Sequence, residues 1–117
     1  MHNLTRTSGL LITALTTALL VSAPGTARAQ DAAKGKEVYT AQKCSVCHSV
    51  AGTGGKSSPL DGVGAKLSAA ELREWIVDPV VMAKKKASTK KPAMPKRYDK
   101  LPAADLDSLV AYMQSLK

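Results

Sequence analysis

The stretch "QKCSVCHSV", residues 42–50, holds both cysteines of the chain and the only histidine beyond residue 2. Two thiols and an imidazole within five residues, Cys44 to His48, form one concentrated set of soft ligands. A thioredoxin-type redox pair would need a preceding strand and a βαβ setting, and the sequence offers neither. A structural zinc site needs four ligands, whereas only these three are at hand. A disulfide between Cys44 and Cys47 would close a very short loop, where such a bond stabilises least, and would leave His48 without a role.

The spacing Cys-x-x-Cys-His is that of covalent c-type haem attachment. On one helical turn the two thiols project to neighbouring positions, where each can form a thioether with a haem vinyl group. His48 then reaches the iron from one side. The cofactor expected is one haem c, attached through Cys44 and Cys47.

The N-terminus agrees with attachment outside the cytoplasm. Arg6 precedes the apolar run "GLLITALTTALLVSA", and "TARAQD" follows with Ala27 and Ala29 in the two positions of an A-x-A cleavage site. This is a secretory signal pattern. Residues 1–29 are expected to be removed after Ala29, leaving 30–117 as one domain in the periplasm. The run is shorter than the ~20 apolar residues of a spanning helix, so no stable membrane insertion is expected.

The chain has no phenylalanine, one tryptophan and three tyrosines. A domain of this size buries only ~60–65% of its unfolded surface, so a bound group is a natural filler for the core. The whole chain carries 17 Lys and Arg against 9 Asp and Glu. Loss of Arg6 and Arg28 with the leader still leaves a clear positive excess. Such charge suits acidic partners, and export argues against nucleic acid as the partner.

Helical patterning is expected in three places. Residues 31–43 place Val38 and Tyr39 on one face, with Gly35 as an unfavourable helix residue costing about 0.8–1 kcal/mol against Ala. "SAAE" from Ser68 to Glu71 reads as a capping box opening a helix with Leu72, Trp75 and Ile76 in its stripe, ended by Asp78-Pro79. Residues 103–116 repeat Leu106, Leu109, Val110, Met113 and Leu116 at helical spacing. The Gly- and Ser-rich segment 49–67 reads as loop, and 80–100 as irregular chain. "GTGGKSS" is not a P-loop, because Val50 stands where the motif needs its first glycine.

Taken with these motifs, residues 30–117 resemble a small bacterial class I cytochrome c. "CSVCH" carries the likeness most specifically. "SPLDGVGAKL" is similar to the family's Pro-x-Leu-x-Gly-x-Gly segment, "PAMPKRYDKL" to its methionine loop, and "LVAYMQSLK" to its closing helix. The resemblance implies an all-α cytochrome c fold, three to four helices with long loops wrapped around one covalently bound haem c. It also implies that Gly35 and Tyr39 cross the last helix near Tyr112.

His48 is the expected proximal axial ligand. Methionine is the natural second ligand, since Met/His ligation raises the reduction potential. Met113 lies in a helical stripe and reads as core, while Met82 stays in reserve. Met94, between Pro92 and Pro95, sits in a loop that the prolines stiffen, and the family likeness points to it as the distal ligand. The resemblance further assigns the Pro59 carbonyl as partner of the second His48 ring nitrogen, with Leu60 packed against the haem. Trp75 is open to two readings, cover for the haem or core.

Lys84, Lys85, Lys86, Lys90, Lys91, Lys96, Arg97 and Lys100 surround Met94 in sequence. They are expected to steer redox proteins with acidic docking surfaces toward the haem edge. The expected function is that of a monomeric periplasmic one-electron carrier, not an enzyme, passing electrons from a donor enzyme or complex to an acceptor such as a terminal oxidase. The alternatives are a fixed cytochrome subunit of a periplasmic oxidoreductase and a gas-binding or sensory haem protein.

Overall fold

A computed structural model describes residues 24–117, with side chains from Asp31 onward. The n-region and apolar run of the expected leader lie outside the described residues.

Helix α1 spans Pro24–Ala41. It begins earlier than the residue pattern indicates and runs through the expected cleavage position after Ala29. It stops where Lys43 adopts a left-handed conformation, φ 56°, which turns the chain into a single 3₁₀ turn at Cys44–Val46. The helical turn expected for the motif is thus a tight 3₁₀ one. The His48 N–H returns to the Cys44 carbonyl at 3.0 Å, so the five-residue motif is folded back on itself.

The segment expected to be plain loop contains two small elements. Strands β1, Ser49–Val50, and β2, Thr53–Gly54, pair antiparallel with Ser49 opposite Gly54. The short helix α2 spans Val63–Lys66 and docks on the C-terminal end of the last helix, where the Gly64 N–H donates to the Leu116 carbonyl at 2.8 Å. Neither element has the length to produce a readable period.

Helix α3, Ala69–Val77, opens with the complete Ser68/Glu71 capping box and buries Leu72 and Ile76. It ends at Asp78 as expected, but the chain does not then become irregular. Helix α4 occupies Pro79–Lys85. The Asp78 carboxylate accepts from the Val81 N–H at 3.3 Å, and Pro79 stands at the first helical position, where its fixed φ and missing N–H cost nothing. The same Asp-Pro pair therefore closes one helix and opens the next. Ala87, at φ 48°, ends α4 with the Ser88 N–H on the Ala83 carbonyl at 2.8 Å, a left-handed C-terminal cap. Residues 88–100 are irregular. Helix α5, Ala103–Ser115, buries Leu106, Leu109, Val110, Tyr112 and Met113.

The core lies where α1 crosses α5, with α3 also packed against α5. Val38 and Tyr39 from α1, Leu72 and Ile76 from α3, Tyr98 and the α5 stripe form one buried cluster. Each such side chain contributes up to ~1.5–3 kcal/mol from burial. Gly35 sets the crossing distance: a Cβ there would lie 2.6 Å from the Ser108 carbonyl carbon and 2.7 Å from Tyr112 Cβ. Only glycine lets the backbones meet this closely, and the weakened helix position is offset by the tertiary contact. Tyr39 and Tyr112 then meet edge to face, with centroids 5.5 Å apart and planes at 66°.

Candidate haem site

The fold leaves one large cavity, about 940 Å³, between the Cys44–His48 turn, α3, α4 and the 88–98 segment. Cys44, Cys47, His48, Pro59, Leu60 and Met94 all line it. Residues far apart in sequence thus reach a single chamber. Cys44 and Cys47 are not joined to each other, and both are half-buried. Burial pushes the Cys44 thiol above its ordinary pKa.

His48 is held firmly. Its Nδ1 lies 2.8 Å from the Ser58 carbonyl and donates to it, since a carbonyl can only accept. Nε2 is the nitrogen left for a ligand in the cavity. The expected partner was Pro59, and the structure corrects this by one residue. The Ser58 N–H donates to the Cys47 carbonyl at 3.2 Å and the Leu60 N–H to the Ser49 carbonyl at 2.9 Å. These two bonds lay the loop against the His48 backbone and bring the carbonyl between them, that of Ser58, to the ring. In this chain Leu60 follows Pro59 directly. Placing Leu60 and Gly62 in register with Pro-x-Leu-x-Gly therefore puts Ser58, not Pro59, in the proline's place. Pro59 remains a wall residue.

The methionines stand differently toward the cavity. Met94 is half-buried, packs against the core and lines the chamber. Met82 is completely buried in α4 and is not part of the lining. Met113 belongs to the core stripe, as expected, while also touching the chamber. Trp75 lines the cavity and lies outside the buried core cluster, so the structure favours cover over core for this residue.

The Tyr39 hydroxyl, absent from the sequence reading, donates to the His48 carbonyl oxygen at 3.1 Å. Burial, chiefly, pushes the phenol up to about 12, so it remains a neutral donor. Nothing in the residue pattern distinguishes this tyrosine from a purely structural aromatic.

The basic segment is partly neutralised from within. Lys85 pairs with Glu74 at 3.3 Å, Lys86 with Glu71, and Lys96 with Asp78 at 2.9 Å. Lys86, with the capping-box N–H of Ser68, holds the Glu71 carboxyl down at about 2. Lys96 likewise lowers Asp78. Lys84, Lys86, Lys90, Lys91 and Arg97 reach the cavity lining, while Lys85, Lys96 and Lys100 do not. Arg97 also stacks over the Tyr98 ring, 5.2 Å from its centroid. The acids were readable in principle: Glu71 and Glu74 stand three apart on α3, and Asp78 follows at its end.

Two thiols at the attachment spacing, an oriented imidazole and an apolar chamber of this volume fit a haem covalently bound at Cys44 and Cys47. Among the described residues no cluster of three His, Cys, Asp or Glu could hold a bare metal ion instead. The Cytochrome c family profile matches residues 32–117. The chain belongs to the cytochrome c family. Comparison with curated proteins and with solved structures returned no match. As a member, the cytochrome has the all-α fold of the family and binds haem c, with Cys44 and Cys47 in the attachment motif. Its activity is haem-based electron transfer, and its family is typically extracytoplasmic. No described helix is long and apolar enough to cross a membrane.

Proposed function

We propose that this cytochrome is a periplasmic one-electron carrier, exported by a leader cleaved after Ala29, with His48 and Met94 as its axial ligands. The observation that carries this reading is the shared chamber, on which Cys44, Cys47, His48 and Met94 all open while Met82 does not. When bound, haem supplies the one-electron couple. The protein's part is to hold that group in a fixed, largely apolar setting.

Ser58 orients the imidazole, Leu60 and Trp75 contribute apolar wall, and Pro92 and Pro95 stiffen the loop that presents Met94. A rigid site with His48 and Met94 both holding the group would favour rapid transfer without substrate chemistry. The basic residues on the cavity side, Lys84, Lys86, Lys90, Lys91 and Arg97, give the chamber's mouth a positive rim. An acidic donor or acceptor, such as a terminal oxidase, would be steered to it, with rates falling as salt rises.

The test is a spectroscopic redox titration of the purified, haem-loaded protein, followed by exposure of the reduced form to carbon monoxide. A carrier gives a single reversible one-electron transition and resists carbon monoxide at neutral pH. Ready binding of the gas would show an open iron position and replace the carrier with a gas-binding protein.

A further inference from the structure

Three polar groups of His48 are each engaged by a different part of the fold. Its N–H donates to the Cys44 carbonyl at 3.0 Å, within the attachment turn. Its Nδ1 meets the Ser58 carbonyl at 2.8 Å, from the following loop. Its own carbonyl accepts from Tyr39 Oη at 3.1 Å, from α1. Tyr39 is 7% exposed, and its ring is wedged edge-on against Tyr112, one turn from the Gly35 contact with Ser108. The ring therefore has little freedom to carry its hydroxyl elsewhere. Packing of the ring needs only a phenyl group, yet the hydroxyl is directed onto the backbone of the histidine.

We propose that Tyr39 is a positioning residue for the axial histidine, its hydroxyl fixing the His48 peptide so that the α1–α5 crossing determines where the imidazole stands. The inference rests on His48 being the iron ligand. If the His48 carbonyl is freed, the peptide can tilt and the Nδ1–Ser58 bond loosens. A weaker Nδ1–H donation makes the imidazole a poorer electron donor, which favours the reduced iron.

The experiment compares haem-loaded wild type, Tyr39→Phe and Val38→Ala. Val38 is buried on the same helix but does not line the cavity, so its truncation weakens packing and leaves the hydroxyl in place. Tyr39→Phe keeps the ring and the edge contact with Tyr112.

In Tyr39→Phe, solvent exchange of the His48 Nδ1 proton, followed by NMR on the reduced protein, is expected to quicken roughly two- to tenfold, the range of one net hydrogen bond. The redox equilibrium is expected to shift two- to threefold toward the reduced state, a rise of ~18–28 mV at ~59 mV per decade. Val38→Ala is expected to lose thermal stability and to move neither readout. The proposal is overturned if Tyr39→Phe leaves both readouts unchanged, or if Val38→Ala moves them equally. Strong ring-current shifts of the His48 ring protons in wild type test the ligand reading separately. Their absence would overturn that reading and this inference with it.

Discussion

Gly35→Ala tests the helix crossing on which the haem chamber is built. The new Cβ would sit 2.6 Å from the Ser108 carbonyl carbon and 2.7 Å from Tyr112 Cβ, against the 3.4 Å at which ordinary contact begins, and closer still to the Ser108 oxygen. Two of these atoms are backbone, and the third is fixed to its helix, so no rotamer change relieves them. Helix α1 must withdraw from α5. Alanine gains about 0.8–1.0 kcal/mol from helix propensity. Overpacking costs about 1–3 kcal/mol, at the upper end where backbone blocks relaxation, and a weakened Tyr39–Tyr112 contact adds part of its ~0.5–1.5 kcal/mol. The net expectation is a loss of about 2 kcal/mol. For a domain of this size that lowers Tm by about 8–16 °C. Thermal unfolding of the haem-loaded protein, followed by far-ultraviolet circular dichroism, measures it. Lys36→Ala on the exposed face of α1 serves as the control and should stay within about 0.5 kcal/mol. A Gly35→Ala protein more stable than wild type by about 1 kcal/mol would mean that propensity alone operates, and would refute the crossing.

Two further perturbations address the ion pairs. Glu71 is held at about 2, below its ordinary value of 4.5, chiefly by Lys86, so it stabilises the fold above pH ~4.5 and that contribution is lost as pH falls toward 2. Glu71→Gln, which can keep the capping box, should flatten the dependence of Tm on pH in this window; an unchanged slope would contradict the assignment. Lys96→Gln and Asp78→Asn each remove the pair that ties the segment just beyond Met94 to the α3–α4 junction, while Asn still caps α4. Imidazole should then bind the oxidised haem roughly two- to fivefold faster at low salt, with the difference vanishing at high salt. Equal rates at low salt would show that the pair does not restrain the loop.

Where the sequence could be read correctly, the decisive residues act locally or through a helical period. Ser68 and Glu71 announce α3 because a capping box is complete within four residues. The α5 stripe from Leu106 to Met113 is long enough to establish its spacing. The Cys44–His48 motif works because thioether attachment fixes its own spacing. The failures have a different character. Asp78-Pro79 was read as an end alone, although the same two residues satisfy the cap and first position of α4. The tiny β1–β2 pair and α2 are held by tertiary contacts, such as Gly64 against Leu116, that no local pattern carries.

At the site, the partner of His48 is a backbone carbonyl, whose identity depends on loop register rather than on side-chain type. A one-residue difference in that register moved it from Pro59 to Ser58. The Tyr39 hydroxyl is invisible for a related reason: its role arises only once α1 crosses α5. The lysine segment looked uniformly available in sequence, whereas Glu71, Glu74 and Asp78 engage three of its members across the fold.

The most direct measurement of the central claim compares Met94→Leu with Met82→Leu in the haem-loaded protein, by reduction potential and by the thioether–iron charge-transfer absorption of the oxidised form. Met94 lines the same chamber as the attachment turn, and Met82 is buried outside its lining. The account predicts that Met94→Leu abolishes the absorption and lowers the potential, since a thioether ligand raises it, while Met82→Leu retains both. An unchanged absorption and potential in Met94→Leu would contradict it.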